Sequence, residues 1–144
     1  MFSHILVATD GSELAEKSLP YAIEFAKKFG ARVTAVAVID LYPYIGAIEV
    51  MPVGMDMWQD EVRKQADAAL QRVRDRLQAA GVSCDTVVQE DAQAWRGVLA
   101  VADKQGCDAI VLASHGRGGV SSALLGSQTA RVLSHSKLPV VVVR

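Results

Sequence analysis

The chain has 144 residues, so a single domain over residues 1–144 is the first expectation at roughly 150 residues per domain. Apolar residues make up 51% of the chain and charged residues 22%, a balance that excludes disorder and allows a sizeable packed core. Fifteen Lys and Arg against sixteen Asp and Glu give a net charge of −1. With no overall basic field, we expect no nucleic-acid partner, and any bound anion must be held by a local site.

The compartment is predicted from the N-terminal residues and the cysteines. One short apolar run precedes Asp10, which is not the pattern of a signal peptide, and no apolar stretch reaches the roughly 18 residues of a membrane span. Cys84 and Cys107 form no CxxC motif, so we expect free thiols in a reducing compartment. The prediction is a cytoplasmic protein without a membrane span.

Two periodicities alternate along the chain. Helical spacing of apolar residues predicts four helices, and Pro20 inside the first of them predicts a kink. Short apolar or β-branched runs predict the strands between them. In chain order the elements are a strand at 5–8, a helix at 14–29, a strand at 33–39, a helix at 56–80, a strand at 82–89, a helix at 94–105, a strand at 109–113, a helix at 127–136 and a strand at 140–143. Strands that alternate with helices require right-handed crossovers, which predicts a doubly wound α/β fold: a five-stranded parallel sheet with helices on both faces.

The stretch between the second strand and the long helix is apolar without a clear period. It runs from Leu41 to Met57 and contains two prolines and two glycines. A long apolar loop in a small domain is typical of a lid or a partner surface. A loop folded back on the core is an equally ordinary interpretation, and the sequence leaves both open.

Two loops follow strands whose carboxyl ends could meet. In open parallel sheets, ligands bind beyond the carboxyl ends where the strand order reverses. One loop is Thr9 to Ser12, and the other is Ser114 to Gly119 with glycines at 116, 118 and 119. These glycines would let backbone N–H groups approach an anion, and the helix that starts near Gly126 would add more, with Ser127 as its N-cap. A merely tight loop is as good an interpretation, because neither GxxxxGK[ST] nor GxGxxG is present.

The polar side chains at these loops allow several roles. Asp10 could accept a hydrogen bond from a base or ribose, could help hold a nucleotide's Mg²⁺, or could cap the first helix with Ser12. Asp10, Ser114 and His115 do not predict a catalytic triad, since neighbouring strand-end residues should point in different directions and no nucleophile elbow is present. We expect His115 to donate to the backbone or a phosphate, and His4 to be an incidental surface or strand-end residue.

Three stretches resemble the universal stress protein family. The run from Ile5 to Ser12 resembles the opening of its domains, and the end from Lys137 to Val143 resembles its last strand. Ser114-His115-Gly116, nine residues and then Gly126-Ser127 resemble its nucleotide motif G-x2-G-x9-G-[S/T]. Ala113 stands where the motif has its first glycine. We expect that methyl group to weaken nucleotide binding without abolishing it, unless the backbone there needs a positive φ.

The resemblance implies the strand order 3-2-1-4-5 of the adenine nucleotide alpha hydrolase-like type. It also implies ATP, or ADP or AMP, across the switch point of the first and fourth strands, with Mg²⁺ carried by the phosphates and Asp10 as a candidate ligand. Family members pair through their terminal strands, which implies a homodimer through Val140, Val141, Val142 and Val143. The residues that the resemblance places at the nucleotide are Ala8, Thr9, Asp10, Val38 (through its backbone), Ala113, Ser114, His115, Gly116, Arg117, Gly119, Gly126, Ser127, Gln128 and Thr129.

The predicted function is a stress-response regulator that binds ATP and acts as a dimer. The sequence offers no catalytic base paired with an arginine finger, so we expect at most slow ATP hydrolysis and name no catalytic residue. Three alternatives stay open. The first is an ATP-using transferase, although this sequence contains neither the HxGH nor the KMSKS signature of such enzymes. The second is an FMN carrier with Thr9 to Ser12 as its phosphate loop. The third is an interaction module with a weak or vestigial pocket, which Ala113 favours.

Overall fold

The computed structural model describes residues 1–41, 54–115 and 125–144. Its elements in chain order are β1 (His4–Ala8), α1 (Glu13–Glu16), α2 (Leu19–Phe29), β2 (Arg32–Ile39), α3 (Met55–Ala79), β3 (Cys84–Glu90), α4 (Ala94–Gln105), β4 (Ala109–Ala113), α5 (Ser127–His135) and β5 (Val140–Val143). None of the helices in these ranges has the length and apolar content needed to cross a bilayer.

The five strands form one parallel sheet in the order β3-β2-β1-β4-β5, which confirms the predicted fold. β1 lies at its centre, where Val7 pairs with Ala35 of β2 on one side and with Val111 of β4 on the other. The strand order reverses between β1 and β4. The loops that leave Ala8 and Ala113 therefore border the same crevice.

Both faces of the sheet are covered, which explains the uninterrupted apolar runs. Ile5 and Val7 belong to a cluster under α2 and α3, whereas Leu6 belongs to a second cluster under α4 and α5. Successive residues of β1 thus enter opposite cores, because side chains alternate along a strand. All three are almost fully buried.

The predicted kink at Pro20 is wrong, because the chain breaks there into two helices. Ser12 caps α1, and α2 begins at Leu19, so that Pro20 is its second residue. A proline is tolerated in a first turn, where its missing N–H would have had no intrahelical acceptor. Between the helices, the buried Ser18 hydroxyl donates to the carbonyl of Ala15 (2.7 Å).

The apolar face predicted for α3 is only partly confirmed. Val73 and Leu77 are buried as predicted, but Trp58, which shares their helical spacing, is 39% exposed near the start of the helix. Most of the predicted Leu41–Met57 loop (42–53) lies outside the described residues. Leu41 itself is buried, and its carbonyl accepts a hydrogen bond from Gln59 Nε2 (3.1 Å).

Of the two places expected for His4, the structure confirms the strand end and excludes the surface, since His4 is the first residue of β1. Only 2% of it is exposed, and its Nε2 lies 2.7 Å from the Thr34 hydroxyl of β2. It is buried because β1 is the central strand, so that even its first residue is flanked on both sides. Burial, reinforced by the positive charge of Arg32, lowers the pKa of His4, against the opposing influence of Asp108.

The lowered pKa of His4 predicts a stability that depends on pH. The unfolded chain protonates His4 near pH 6.5, whereas the folded chain resists protonation, so stability is full above about pH 6.5 and is lost as the pH falls from there through the folded pKa. We expect the free energy of unfolding in urea to be lower at about pH 5.5 than at about pH 7.5, and His4→Gln to reduce this difference. His135→Gln, at an exposed position, serves as the control. An undiminished difference in His4→Gln would contradict the assignment.

Candidate functional site

A pocket opens at the carboxyl ends of β1, β2 and β4, between the sheet and the first turns of α4 and α5. Its inner wall is apolar, and its rim carries hydroxyl, carboxylate, imidazole and carboxamide groups. An apolar wall with a few polar groups at its mouth is the usual form of a small-molecule site. The wall includes Ala8, Val36, Val38, Val98, Leu112 and Val132, and the rim includes Thr9, Asp10, His115, Gln128 and Thr129.

The rim at β1 is held by a chain of local hydrogen bonds. The Thr9 hydroxyl accepts from the N–H of Gly11 (3.1 Å), and Asp10 Oδ1 accepts from the N–H of Ser12 (2.9 Å). The Ser12 hydroxyl in turn accepts from the N–H of Ala15 and caps α1 (3.1 Å). The predicted capping of α1 is therefore confirmed for Ser12, and Asp10 supports the cap through the N–H of Ser12. This carboxylate is positioned at the pocket by the start of a helix.

The start of α5 is fastened to the end of β4. The buried Thr129 hydroxyl donates to the carbonyl of Ala113 (3.0 Å), and the N–H of Gly126 donates to the carbonyl of Ser114 (2.8 Å). Ala113 has a negative φ, as does every described residue other than glycine. Its methyl group is thus compatible with the backbone at the position where the family motif has glycine.

Ser127 was predicted as the N-cap of α5, and this is wrong. Gly126 occupies that position, and Ser127 is the first helical residue. A Cβ atom on Gly126 would lie 3.0 Å from the carbonyl oxygen of Ser114, so the close approach of the two backbones leaves little room for a side chain at the cap. The positive end of the helix remains directed to the rim, because the N–H groups of a first turn have no intrahelical acceptors.

Ser114 and His115 contact each other, contrary to expectation. Ser114 Oγ lies 3.1 Å from His115 Nδ1. The argument from strand alternation failed because β4 ends at Ala113, one residue earlier. We assign no catalytic role to the pair, since the sequence has no nucleophile elbow.

The structure brings most of the predicted site residues together. Ser114, Gly126 and Ser127 lie beside the pocket, at the junction of β4 and α5. Gly116, Arg117 and Gly119 lie outside the described residues. The predicted residues that line the pocket are Ala8, Thr9, Asp10, Val38, Ala113, His115, Gln128 and Thr129.

Sequence reasoning missed the contribution of α4. Trp95, in its first turn, lines the pocket, and its indole stacks on His135 of α5 with ring centroids 4.4 Å apart. The N–H of Trp95 donates to Gln128 Oε1 (3.0 Å). An aromatic residue at the start of a helix that follows a strand's carboxyl end was the available signal. The spacing of Trp95 within α4 does not by itself show that it meets α5 at the pocket, since that contact joins residues distant in the chain.

Charges near this first turn are paired. Asp91 lies just before α4, where its Oδ1 accepts from Arg96 Nη2 (2.7 Å) and from the N–H of Gln93 (2.8 Å). The hydrogen bond from Arg96, with that from Gln93, lowers the pKa of Asp91. The Asp91 carboxylate therefore stays ionised in mild acid and supports the start of α4.

The family model for the universal stress protein family matches residues 1–144. The chain belongs to this family. Universal stress protein MJ0531 of Methanocaldococcus jannaschii is 30% identical over 146 residues, which cover 100% of this chain and 83% of that protein. Universal stress protein YxiE of Bacillus subtilis is 30% identical over 149 residues and covers both chains completely.

Solved structures of similar proteins share the fold of this universal stress protein. Protein MJ0577 of Methanocaldococcus jannaschii has a TM-score of 0.85 at 26% identity, covering 99% of this chain and 96% of that one. A universal stress protein from Archaeoglobus fulgidus, solved in complex with dAMP, has a TM-score of 0.73 at 22% identity, covering 99% and 98%. A universal stress protein solved in complex with cAMP has a TM-score of 0.70 at 22% identity, covering 99% of this chain and 96% of that one.

The contact between α4 and β2 predicts the effect of Gly97→Ala. A Cβ atom on Gly97 would lie 2.7 Å from both methyl carbons of Val38, so α4 or the strand must shift. Although alanine raises helix propensity by about 1 kcal/mol, we expect a net loss of about 1–3 kcal/mol in the free energy of unfolding, measured in urea. Adding Val38→Ala removes the clashing methyl groups and should recover part of the loss. A single variant as stable as the wild type would contradict this packing.

Proposed function

We propose that this universal stress protein binds an adenine nucleotide in the pocket at β1 and β4 and acts in the stress response as a nucleotide-dependent, cytoplasmic regulator. ATP is the proposed ligand, with ADP or AMP as alternatives. The observation that carries the proposal is the joining of an apolar wall, a polar rim and the start of α5 in one pocket. The two relatives solved with dAMP and cAMP support the class of ligand.

The apolar wall suits the base. Val36, Val38 and Leu112 offer a surface against which a flat, largely apolar ring can be buried. Thr9 and Asp10 lie on the rim beside it, where a hydroxyl and a carboxylate can meet the hydroxyls of a ribose. The proposal therefore places the base toward the sheet and the ribose at the end of β1.

The start of α5 suits the phosphates. The first-turn N–H groups from Ser127 to Thr129 and the positive helix end form an anion-binding arrangement that needs no basic side chain. Among the described residues, no lysine or arginine lines the pocket, so the backbone carries this role there. The tight fit of Gly126 against Ser114 keeps the entrance to the helix free of a side chain.

In this proposal, Mg²⁺ arrives with the nucleotide. The described residues contain no group of three or more His, Cys, Asp or Glu side chains arranged to hold a metal ion. Asp10 is the carboxylate on the rim and the candidate for a contact to the ion or to its water shell. With no catalytic residue assigned, we propose binding with at most slow hydrolysis.

Calorimetric titration of the nucleotide-stripped protein tests this proposal. We expect Mg-ATP to bind in the micromolar range. In Ser127→Asp a carboxylate at the start of α5 should repel the phosphates and weaken ATP binding by about tenfold or more, while the same charge favours the helix and preserves the fold. Adenosine, which lacks phosphate, serves as the control ligand and should bind both proteins alike. No binding of any adenine nucleotide by the wild type would refute the proposal.

We also propose that two copies pair through β5. The carbonyl of Pro139 accepts a hydrogen bond from the N–H of Ile110 in β4, and that of Val143 accepts one from the N–H of Ser114, just after β4. Because successive residues of a strand direct their backbone groups to opposite edges, those of Val140 and Val142 point to the outer edge of the sheet. Among the described residues, no strand pairs with that edge. A short apolar edge of this kind favours pairing with a second copy.

Val142→Pro tests the pairing at this edge. Proline removes an N–H group that points away from β4, so the sheet within one chain keeps its hydrogen bonds while the outer edge loses a donor. We expect the wild type to elute as a dimer and Val142→Pro as a monomer in size-exclusion chromatography with light scattering. Circular dichroism should show the same secondary structure for both. A dimeric Val142→Pro protein would place the interface elsewhere.

The alternative function is an interaction module of the same fold with a weak or vestigial nucleotide site. The methyl group of Ala113, which lines the pocket in place of the motif glycine, favours it. A wild-type protein that dimerises but binds no nucleotide would select this alternative.

A further inference from the structure

Gln128 joins the first turns of two helices. It is the second residue of α5, and its Oε1 accepts the hydrogen bond from the backbone N–H of Trp95 in α4 (3.0 Å). Arg131 Nη1 of α5 donates to Gln93 Oε1 at the other side of the same turn (3.1 Å). The two helices are therefore linked twice at the end where both border the pocket.

We propose that Gln128 is a specificity-determining residue whose side-chain NH₂ group donates to a phosphate oxygen of the bound nucleotide, while its oxygen caps α4. This inference rests on the proposed function and deepens it. Gln128 lines the pocket and is exposed, so that a ligand can reach it. In this role, the Gln128 side chain selects phosphorylated ligands over the nucleoside.

The orientation of the carboxamide follows from its partner. A backbone N–H can donate only to the oxygen of the group, and Gln128 Oε1 occupies that position beside Trp95. The group is planar, so the N–H bond of Nε2 that lies anti to Oε1 points opposite to the C=O bond that faces Trp95. A fixed donor of this kind at the start of a helix suits an anion, because the neighbouring backbone N–H groups and the helix dipole attract the same charge.

The choice of glutamine argues against a purely structural cap. Gln93, the N-cap residue of α4, makes no side-chain capping hydrogen bond, and Gln128 supplies one from the neighbouring helix. For capping alone a glutamate would serve better, since a carboxylate is favoured at the positive ends of α4 and α5. A neutral amide leaves this positive potential available to a bound phosphate and adds two donors to it.

Gln128→Glu separates the two roles. The glutamate keeps an oxygen for Trp95 and adds a charge that favours both helix ends, but it removes both donors and repels phosphate. We expect the thermal midpoint of unfolding to be equal to or above that of the wild type. By calorimetry, we expect ATP binding to weaken by about 10- to 100-fold, with adenosine binding unchanged. Ser127→Asp places the same charge at the adjacent position and keeps Gln128, so a loss of ATP affinity in Gln128→Glu that exceeds the loss in Ser127→Asp is the result that indicates the Gln128 donors.

Two further variants control this experiment. Gln128→Met has a similar size but no polar atoms, so it should lower both the midpoint and the affinity for ATP. Gln78→Glu makes the same change of charge at an exposed position of α3 that does not line the pocket, and it should leave ATP binding unchanged.

The outcomes distinguish this inference from the proposed function. Wild-type affinity for ATP in Gln128→Glu, with ATP binding by the wild type itself, would overturn the inference alone. Equal weakening for ATP and adenosine would also overturn it, because the contact would then be to base or ribose. No binding of nucleotide by the wild type would overturn both.

Discussion

The central position of β1 is the constraint on which the rest of the structure depends. β1 is hydrogen-bonded to β2 along one edge and to β4 along the other, and helices cover both of its faces. Its carboxyl end is therefore where the strand can meet a ligand. Because the crossovers are right-handed, the chain leaves β1 toward one side of the sheet and β4 toward the other, and a crevice opens between them.

The walls of this crevice come from parts of the chain that are distant in sequence. The loop after β1 supplies Thr9 and Asp10 of the rim, and β2 supplies Val38. The start of α5 is fixed to the end of β4 through Thr129 and Gly126. Each part is held by its own local hydrogen bonds before any ligand arrives. Such preorganisation lowers the entropy cost of binding, because the polar groups need not be ordered by the ligand.

The first turn of α4 borders the site together with the starts of α1 and α5. Trp95 and Gln128 connect it to α5 by a hydrogen bond, and the stacking of Trp95 on His135 adds a second contact. A shift of α5 would therefore also displace the first turn of α4. In the chain, α5 is followed by β5 at the edge of the sheet.

Local sequence patterns were enough to predict the fold class of this protein and its family. The alternation of apolar runs and helical spacing predicted the doubly wound sheet, and the motif around Gly116 and Gly126 indicated the family. The fold type and the family could be predicted from the sequence because periodicity and glycine spacing are visible among residues that are close together in the chain. The rule that ligands bind at the carboxyl ends of parallel strands pointed to the loops after β1 and β4, whereas the pocket residues from β2 and α5 were implied by the family resemblance.

What only the tertiary structure decided depends on neighbours distant in the chain. His4 is buried because β1 is flanked on both sides, and the Gly126 cap of α5 packs so closely on the carbonyl of Ser114 that little room is left for a side chain. Gln128 faces Trp95 across two helices, a contact that no spacing within either helix could reveal. The sequence by itself determined the alternation of strands and helices and the type of sheet they build, but not the division of the first predicted helix into α1 and α2. The packing of those elements decided which polar atoms meet, because such contacts depend on distances between segments that the chain order does not contain.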